Sequence, residues 1–294
     1  MPADTPSGTL VPEERHVESD GLRLHLLDWG TVGAPPVILL HGMAIHARSW
    51  DHNLRAWRDR FHVVALDQRG HGESDRPSPE ADHPYSTEAF ASDVLAVADA
   101  LGWRRFSVVG QSMGGNNGMY LAAEFPERIE RLVISDMEPR FRLELMAFMR
   151  EADRLPEYDS ADLYIAEQAK RSPHAAPKLL RQRAEHSLTR LPNGRLTPKY
   201  DLQAPKRWKP LDLWPRLQDI GCPTLLVRGA ESPVLSQEVA ERMVQEIPDC
   251  RLVVVPNAGH SIGADNPPVY EAAIRDFLLG TEPAGAVRPD HDVG

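Results

Sequence analysis

The sequence predicts an α/β protein built on a mostly parallel sheet. Short β-branched runs recur with little polar alternation, as in strands buried on both faces. Longer stretches of helical period fill the gaps between them. A third observation is the interval 139–213, where helical pattern broken by prolines from Pro156 to Pro210 runs on without a segment that reads as a strand. It is too long for a bare loop in a compact domain, so short helices inserted over one end of the sheet are expected.

In chain order, two strands come first, around residues 15–29, turning at Asp20-Gly21, a dipeptide suited to a tight hairpin. PVILLHG (36–42), FHVVALD (61–67), FSVVG (106–110) and RLVISD (131–136) follow as buried strands, and TLLVRG (224–229) and RLVVVP (251–256) come late. Between them, Phe90, Val94, Leu95, Ala98 and Leu101 recur at helical steps within 86–101. Ser236 is the expected N-cap of a helix over 237–247, with Glu238 and Glu241 suited to its positive end. Tyr270, Ile274, Phe277 and Leu278 form an apolar stripe on a last helix that stops at Gly280. The expected division is a core of residues 1–138 and 214–280, an insertion of residues 139–213, and a disordered tail, 281–294, mixing Pro, Gly, Ala and charge.

Composition narrows the function. The chain of 294 residues is 41% hydrophobic and 26% charged, ordinary for a soluble globular protein. Its net charge of −10 disfavours nucleic acid and anionic membrane as partners. No apolar run reaches the ~18 residues of a membrane span, and the start does not read as a secretory signal. Cys222 and Cys250 each precede an apolar run and lack the paired spacing of a zinc site, so both read as structural thiols in a reducing, cytoplasmic setting. No metal and no cofactor are expected, since neither a phosphate-cradling glycine loop nor metal-ligand histidine spacing is found.

The chemistry centres on GQSMGG (110–115). Gly-x-Ser-x-Gly alone occurs by chance in roughly one chain in ten of this size, but here it joins a buried strand to a helix. Ser112 would sit on a sharp strand-to-helix turn, with Gly110 and Gly114 leaving room for close packing. A serine hydroxyl needs a base, and of the 12 histidines His260 stands out, in the loop PNAGHS after a late strand. His16, His25, His62, His83, His174 and His186 fall at positions expected on the surface, and His41 is expected to hold its loop. Met113 N–H at the helix start and Met43 N–H in LLHGMA are two main-chain donors suited to a developing oxyanion.

LLHGM (39–43), LDQRGHGES (66–74), GQSMGG (110–115) and PNAGH (256–260), in that order, resemble the motifs of the α/β-hydrolase superfamily across residues 16–279. The resemblance implies the α/β-hydrolase fold: an eight-stranded, mostly parallel sheet flanked by helices, with a helical lid inserted after the sixth strand. It implies Ser112 as nucleophile, His260 as base, and the N–H groups of Met43 and Met113 as oxyanion donors, with residues 67–74 shaping the site. In this superfamily the acid lies between the nucleophile and the histidine, often at a position that here is Ser232, beside Glu231. In some relatives it ends the sixth strand, which here is Asp136 in VISDMEP. Asp136 is the expected acid, with Glu231 the alternative and Glu138 behind it.

A serine at this position argues against haloalkane dehalogenases and epoxide hydrolases, which attack with aspartate, and favours acyl transfer to water through an acyl-enzyme. The expected activity is hydrolysis of a small or medium apolar carboxylic ester or lactone, a small-molecule partner. Alternatives on the same scaffold are a carbon–carbon bond hydrolase, a cofactor-free perhydrolase, or a low-turnover ligand receptor. Phe141, Leu145, Met146 and Phe148, with Trp208 on the return from the insertion, are the candidate pocket residues.

Overall fold

Apolar runs without alternation require cover on both faces of the sheet, and the computed structural model, which describes residues 11–288, has it. The strands are β1 Glu13–Ser19, β2 Leu22–Asp28, β3 Pro36–Leu40, β4 His62–Leu66, β5 Phe106–Gln111, β6 Ile129–Ser135, β7 Leu188–Arg190, β8 Leu196–Pro198, β9 Thr224–Gly229 and β10 Cys250–Val255. The helices are α1 Thr87–Ala100, α2 Met113–Glu124, α3 Ala147–Arg150, α4 Ala161–Arg171, α5 Pro177–Ser187, α6 Gln203–Arg207, α7 Gln237–Glu246, α8 Ile262–Asp265 and α9 Pro267–Leu278. Among the described residues, eight strands form one sheet in the order β1-β2-β4-β3-β5-β6-β9-β10. From β4 to β10 every neighbouring pair is parallel, and β2 runs antiparallel to both β1 and β4.

Alternate residues of each central strand serve two separate cores. Ile38, Leu40, Val108, Leu132, Ile134 and Leu226 face one, which Phe90 and Val94 of α1, Met119 of α2 and Met243 of α7 complete. Val37, Leu39, Val109, Val133, Leu225 and Val227 face the other, closed by Trp50, Trp57 and the Tyr270, Ile274 and Phe277 stripe of α9. Each such side chain contributes about 1.5–3 kcal/mol on burial, so both faces hold the sheet between helices. Capping follows the sequence. Ser86 accepts the Ala89 N–H at 3.2 Å and Ser236 accepts the Val239 N–H at 3.1 Å. Asp20 and Gly21, with φ of 51° and 72°, make the hairpin turn between β1 and β2.

Two expectations need correction. The interval 139–213 does contain strands: β7 and β8 pair antiparallel with Thr189 opposite Thr197. Their turn runs through Asn193-Gly194, where Gly194 has φ 85°. Pro192 lies in that turn and Pro198 ends its strand, so neither interrupts the ladder. The segment after α9 is also ordered as far as it is described. Val287 exchanges both main-chain hydrogen bonds with Leu252 of β10, at 2.9 and 2.8 Å, and Glu282 pairs with Arg251 and Arg288. Residues 289–294 of the expected tail, and residues 1–10 of the start read for a signal, lie outside the described residues. Among the described residues, no helix is long and apolar enough to cross a membrane.

Candidate active site

Parallel strands end at a common edge, and register decides what meets there. Gln111 pairs with Ser135, Ser135 with Val227, and Val227 with Val253. The residues just past β5, β6, β9 and β10 therefore converge. Ser112 N–H donates to Ser135 O at 2.9 Å, and Asp136 N–H donates to Val227 O at 2.8 Å. Ser112, at φ 53° and ψ −119°, turns the chain from β5 directly into α2. That turn needs near contact between strand and helix. A Cβ on Gly110 would lie 2.2 Å from Gly114 O, and one on Gly114 would lie 2.2 Å from Leu40 O.

Of the three carboxylates considered from sequence, Asp136 is bonded to His260. The His260 Nδ1–H donates to Asp136 Oδ2 at 2.7 Å; the aspartate side chain is 0% exposed and the imidazole 29%. Ser232 Oγ donates to the same Asp136 oxygen, and Gly229 N–H lies 3.4 Å from the other. Ser232 is itself held by the N–H groups of Val234 and Leu235 at 3.0 and 3.3 Å. Glu231 instead accepts from His174 Nε2 at 2.8 Å on the exposed surface, raising the pKa of that histidine. Glu138 accepts from Arg142 Nε at 2.8 Å.

With Nδ1 committed to Asp136, His260 Nε2 is left as a proton acceptor. The Gln111 amide, next to Ser112 in the chain, donates to it at 3.3 Å and to His260 O at 3.4 Å. Sequence reasoning gave Gln111 no part and read Ser232 only as a departure from the usual acid position; only the chain adjacency of Gln111 to the serine could have marked it.

Met113 opens α2, so its N–H is one of the donors that a helix leaves without an internal acceptor. Met43 follows β3, and its loop is tied down through His41. The fully buried His41 accepts Gln68 N–H at Nε2 (3.0 Å), and Gln68 Nε2 donates to His41 O (2.6 Å). Asn117 of α2 donates in turn to Gln68 Oε1 at 2.8 Å. Burial, with His71 alongside, pushes the His41 pKa down to about 3, which keeps the ring a neutral acceptor.

The 67–74 segment is as firmly held. Burial alone would raise the Asp67 pKa, but the hydrogen bond from His25 and the neighbouring His41 and His46 bring it down to about 2. Arg69 grips Asp93 of α1 with two bonds of 2.7 and 2.8 Å, both side chains buried. His25 corrects a surface expectation: it is 3% exposed and donates through Nδ1 to Asp67 at 2.8 Å. The carboxylate behind it satisfies Nδ1 of the inward-facing ring, while Nε2 is buried without a hydrogen-bond partner.

Beside Met43 opens a cavity of about 470 Å³, lined among others by Phe148, Met149, Tyr158, Tyr164 and Arg171. The candidate pocket stripe divides here. Phe148 lines this cavity, whereas Met146 and Trp208 are buried in the main core and Phe141 packs against Trp208 at 5.1 Å between ring centroids. Leu145 is 36% exposed.

A hydroxyl on a strained turn, an imidazole oriented by a buried carboxylate, and main-chain donors at a helix start define the hydrolytic class of α/β proteins. The chain belongs to the alpha/beta hydrolase fold family, whose pattern matches residues 35–267. It is 27% identical over 285 residues to the 2-(acetamidomethylene)succinate hydrolase of Mesorhizobium japonicum, covering 95% of this chain and 99% of that protein. A crystal structure of E-2-(acetamidomethylene)succinate hydrolase superposes with a TM-score of 0.82 at 26% identity, covering 91% of this chain and 99% of that one. An esterase of Mycobacterium tuberculosis superposes with a TM-score of 0.74 at 26% identity, covering 92% of each.

Proposed function

We propose that this chain hydrolyses a small or medium carboxylic ester or lactone through an acyl-enzyme on Ser112. The observation that carries the reading is the 2.7 Å bond from His260 to the buried Asp136, at the sheet edge where Ser112 turns out of β5. His260 Nε2 takes the Ser112 proton as Oγ adds to the carbonyl carbon, and Asp136 stabilises the imidazolium through Nδ1–H. The Met43 and Met113 N–H groups receive the oxyanion. Collapse breaks the ester C–O bond, with His260 returning the proton to the leaving oxygen. Water, deprotonated by the same nitrogen, then releases the acid and restores Ser112.

The Gln111 contact on His260 Nε2 must yield for the first transfer, because one lone pair cannot accept from the amide and the hydroxyl together. The insertion of residues 139–213 acts as the lid, with the cavity beside Met43 receiving substrate. Its volume, about 470 Å³, lies within the ~300–1,000 Å³ usual for small-molecule sites. Membership of a family with hydrolase and esterase relatives supports this reading.

Initial rates on p-nitrophenyl esters of increasing acyl length, for the unaltered protein and Ser112→Ala, test it. We expect turnover that falls at least ~10³-fold in the variant. Equal rates in both proteins would remove Ser112 from the reaction.

A further inference from the structure

The lid helix α5 sends Arg183 under the loop that carries Met43, toward the residues flanking the proposed catalytic pair. Arg183 Nη2 donates to Ser49 O at 3.0 Å, while Nε is sealed from solvent without any partner. No carboxylate among the described residues comes within ion-pair distance of this guanidinium, unlike Arg69, whose buried charge is matched by Asp93. The carboxylate that acts on it most, Asp265, does so from beyond ion-pair distance and accepts the N–H groups of Gly259 and His174 instead, at 3.0 and 3.3 Å. Burial lowers the Arg183 pKa to about 10, so it remains a cation at neutral pH. The histidines it faces, His46 and His52, are held neutral by burial, with pKa values of about 4 and 3, and balance none of its charge.

Arg183 is half-buried, and a guanidinium whose Nε is cut off from water with no carboxylate at ion-pair distance is costly unless something else supplies the anion. Arg183 lines a cavity of about 40 Å³ together with Trp50, Asn53, Gln111 and Ser261. One water needs ~10–15 Å³ on this measure, so the space suits a carboxylate-sized group. Trp50 Nε1 is a second buried donor there without a partner. Gln111 and Ser261 are the chain neighbours of Ser112 and His260, and Ile45 lines both this cavity and the larger one beside Met43. An acceptor seated at Arg183 would lie beside the chain neighbours of the proposed nucleophile and base.

We infer that the substrate carries a carboxylate, and that Arg183 is the specificity residue that binds it. This rests on the hydrolase reading above and moves the substrate class from the apolar esters expected from the sequence to anionic ones.

Two isosteric pairs of esters test it on either side of the scissile bond. Phenyl hydrogen adipate is compared with phenyl hexanoate, and 4-acetoxybutyrate with butyl acetate. In the unaltered protein kcat/KM favours the charged member of at least one pair by more than tenfold. In Arg183→Gln that ratio falls by at least tenfold, mainly through KM, and Arg183→Lys retains part of it. A charged-to-neutral ratio that is the same in Arg183→Gln as in the unaltered protein for both pairs would overturn the assignment. Calorimetric titration with adipate separates this inference from the hydrolase reading, because it needs no turnover. Ser112→Ala should bind adipate at least tenfold more tightly than Ser112→Ala/Arg183→Gln. Equal affinity, or binding by neither, would sink the arginine site even if esters are cleaved; adipate binding with no ester cleaved would keep it and fail the hydrolase reading. Arg183→Met, which removes an unmatched charge, should melt no lower than the unaltered protein, whereas a purely structural arginine would lower the melting temperature.

Discussion

Ser112 and Asp136 share a left-handed backbone, each at φ 53°, one closing β5 and the other β6. Holding a non-glycine residue there stores about 1–3 kcal/mol apiece, and at Asp136 the gain is a side chain that leaves the sheet edge to meet His260. Asp136→Asn should lower kcat roughly 10³–10⁴-fold on any ester turned over, because the amide holds the wrong imidazole tautomer and leaves its cation unstabilised. Glu231→Gln, which alters an exposed pair with His174, should stay within about twofold. Comparing both variants in one initial-rate assay decides between the carboxylates. Asp136 could be expected as the partner of His260 because some relatives carry an acid at that strand end, and the bond is present, but the contact of Ser232 could not be foreseen. Read along the chain it only departs from a pattern, and its hydroxyl meets Asp136 through folding alone. Arg183 was missed for the same reason: its lack of a partner is a property of three dimensions.

At the scale of elements, α2 is packed as closely to the sheet as backbone permits. Gly114→Ala would drive a methyl into Leu40 O, a main-chain atom that cannot swing aside. We expect a loss of ~2–3 kcal/mol in urea denaturation, accompanied by displacement of the Ser112 turn. The central strands and their helices were legible because burial on both faces leaves runs such as ILL and VVAL that no surface strand tolerates. The β7–β8 hairpin was not, although Asn193-Gly194 is a turn signal. Its strands are three residues each, too short for a periodicity to register, and the surrounding prolines read as helix breakers.

For the molecule as a whole, buried neutral histidines set the acid limit. His41, His46 and His52 are pushed by burial to about 3, 4 and 3. Their contribution is fully present above the unfolded value near 6.5 and is lost as pH falls below it, because the unfolded chain then binds protons that the folded chain refuses. Asp51, raised by burial to about 6, acts in the opposite sense over part of this range, as do Asp93 and Asp265, raised by burial, and His174, raised by Glu231. His71 and His186, lowered by burial, add to the histidine effect. The melting temperature should therefore drop by roughly 5–10 °C between pH 7.5 and 5, read by scanning fluorimetry. A flat profile would mean that water reaches those rings. The bridge between Val287 and Leu252 has a separate consequence. The outer edge of β10 would otherwise offer unpaired main-chain groups to a second chain, and an open edge is a route to self-association. The residues after the last helix thus plug that edge at its middle, at Leu252, which hinders one sheet from adding to another, and shortening the chain there would cost solubility before it cost activity.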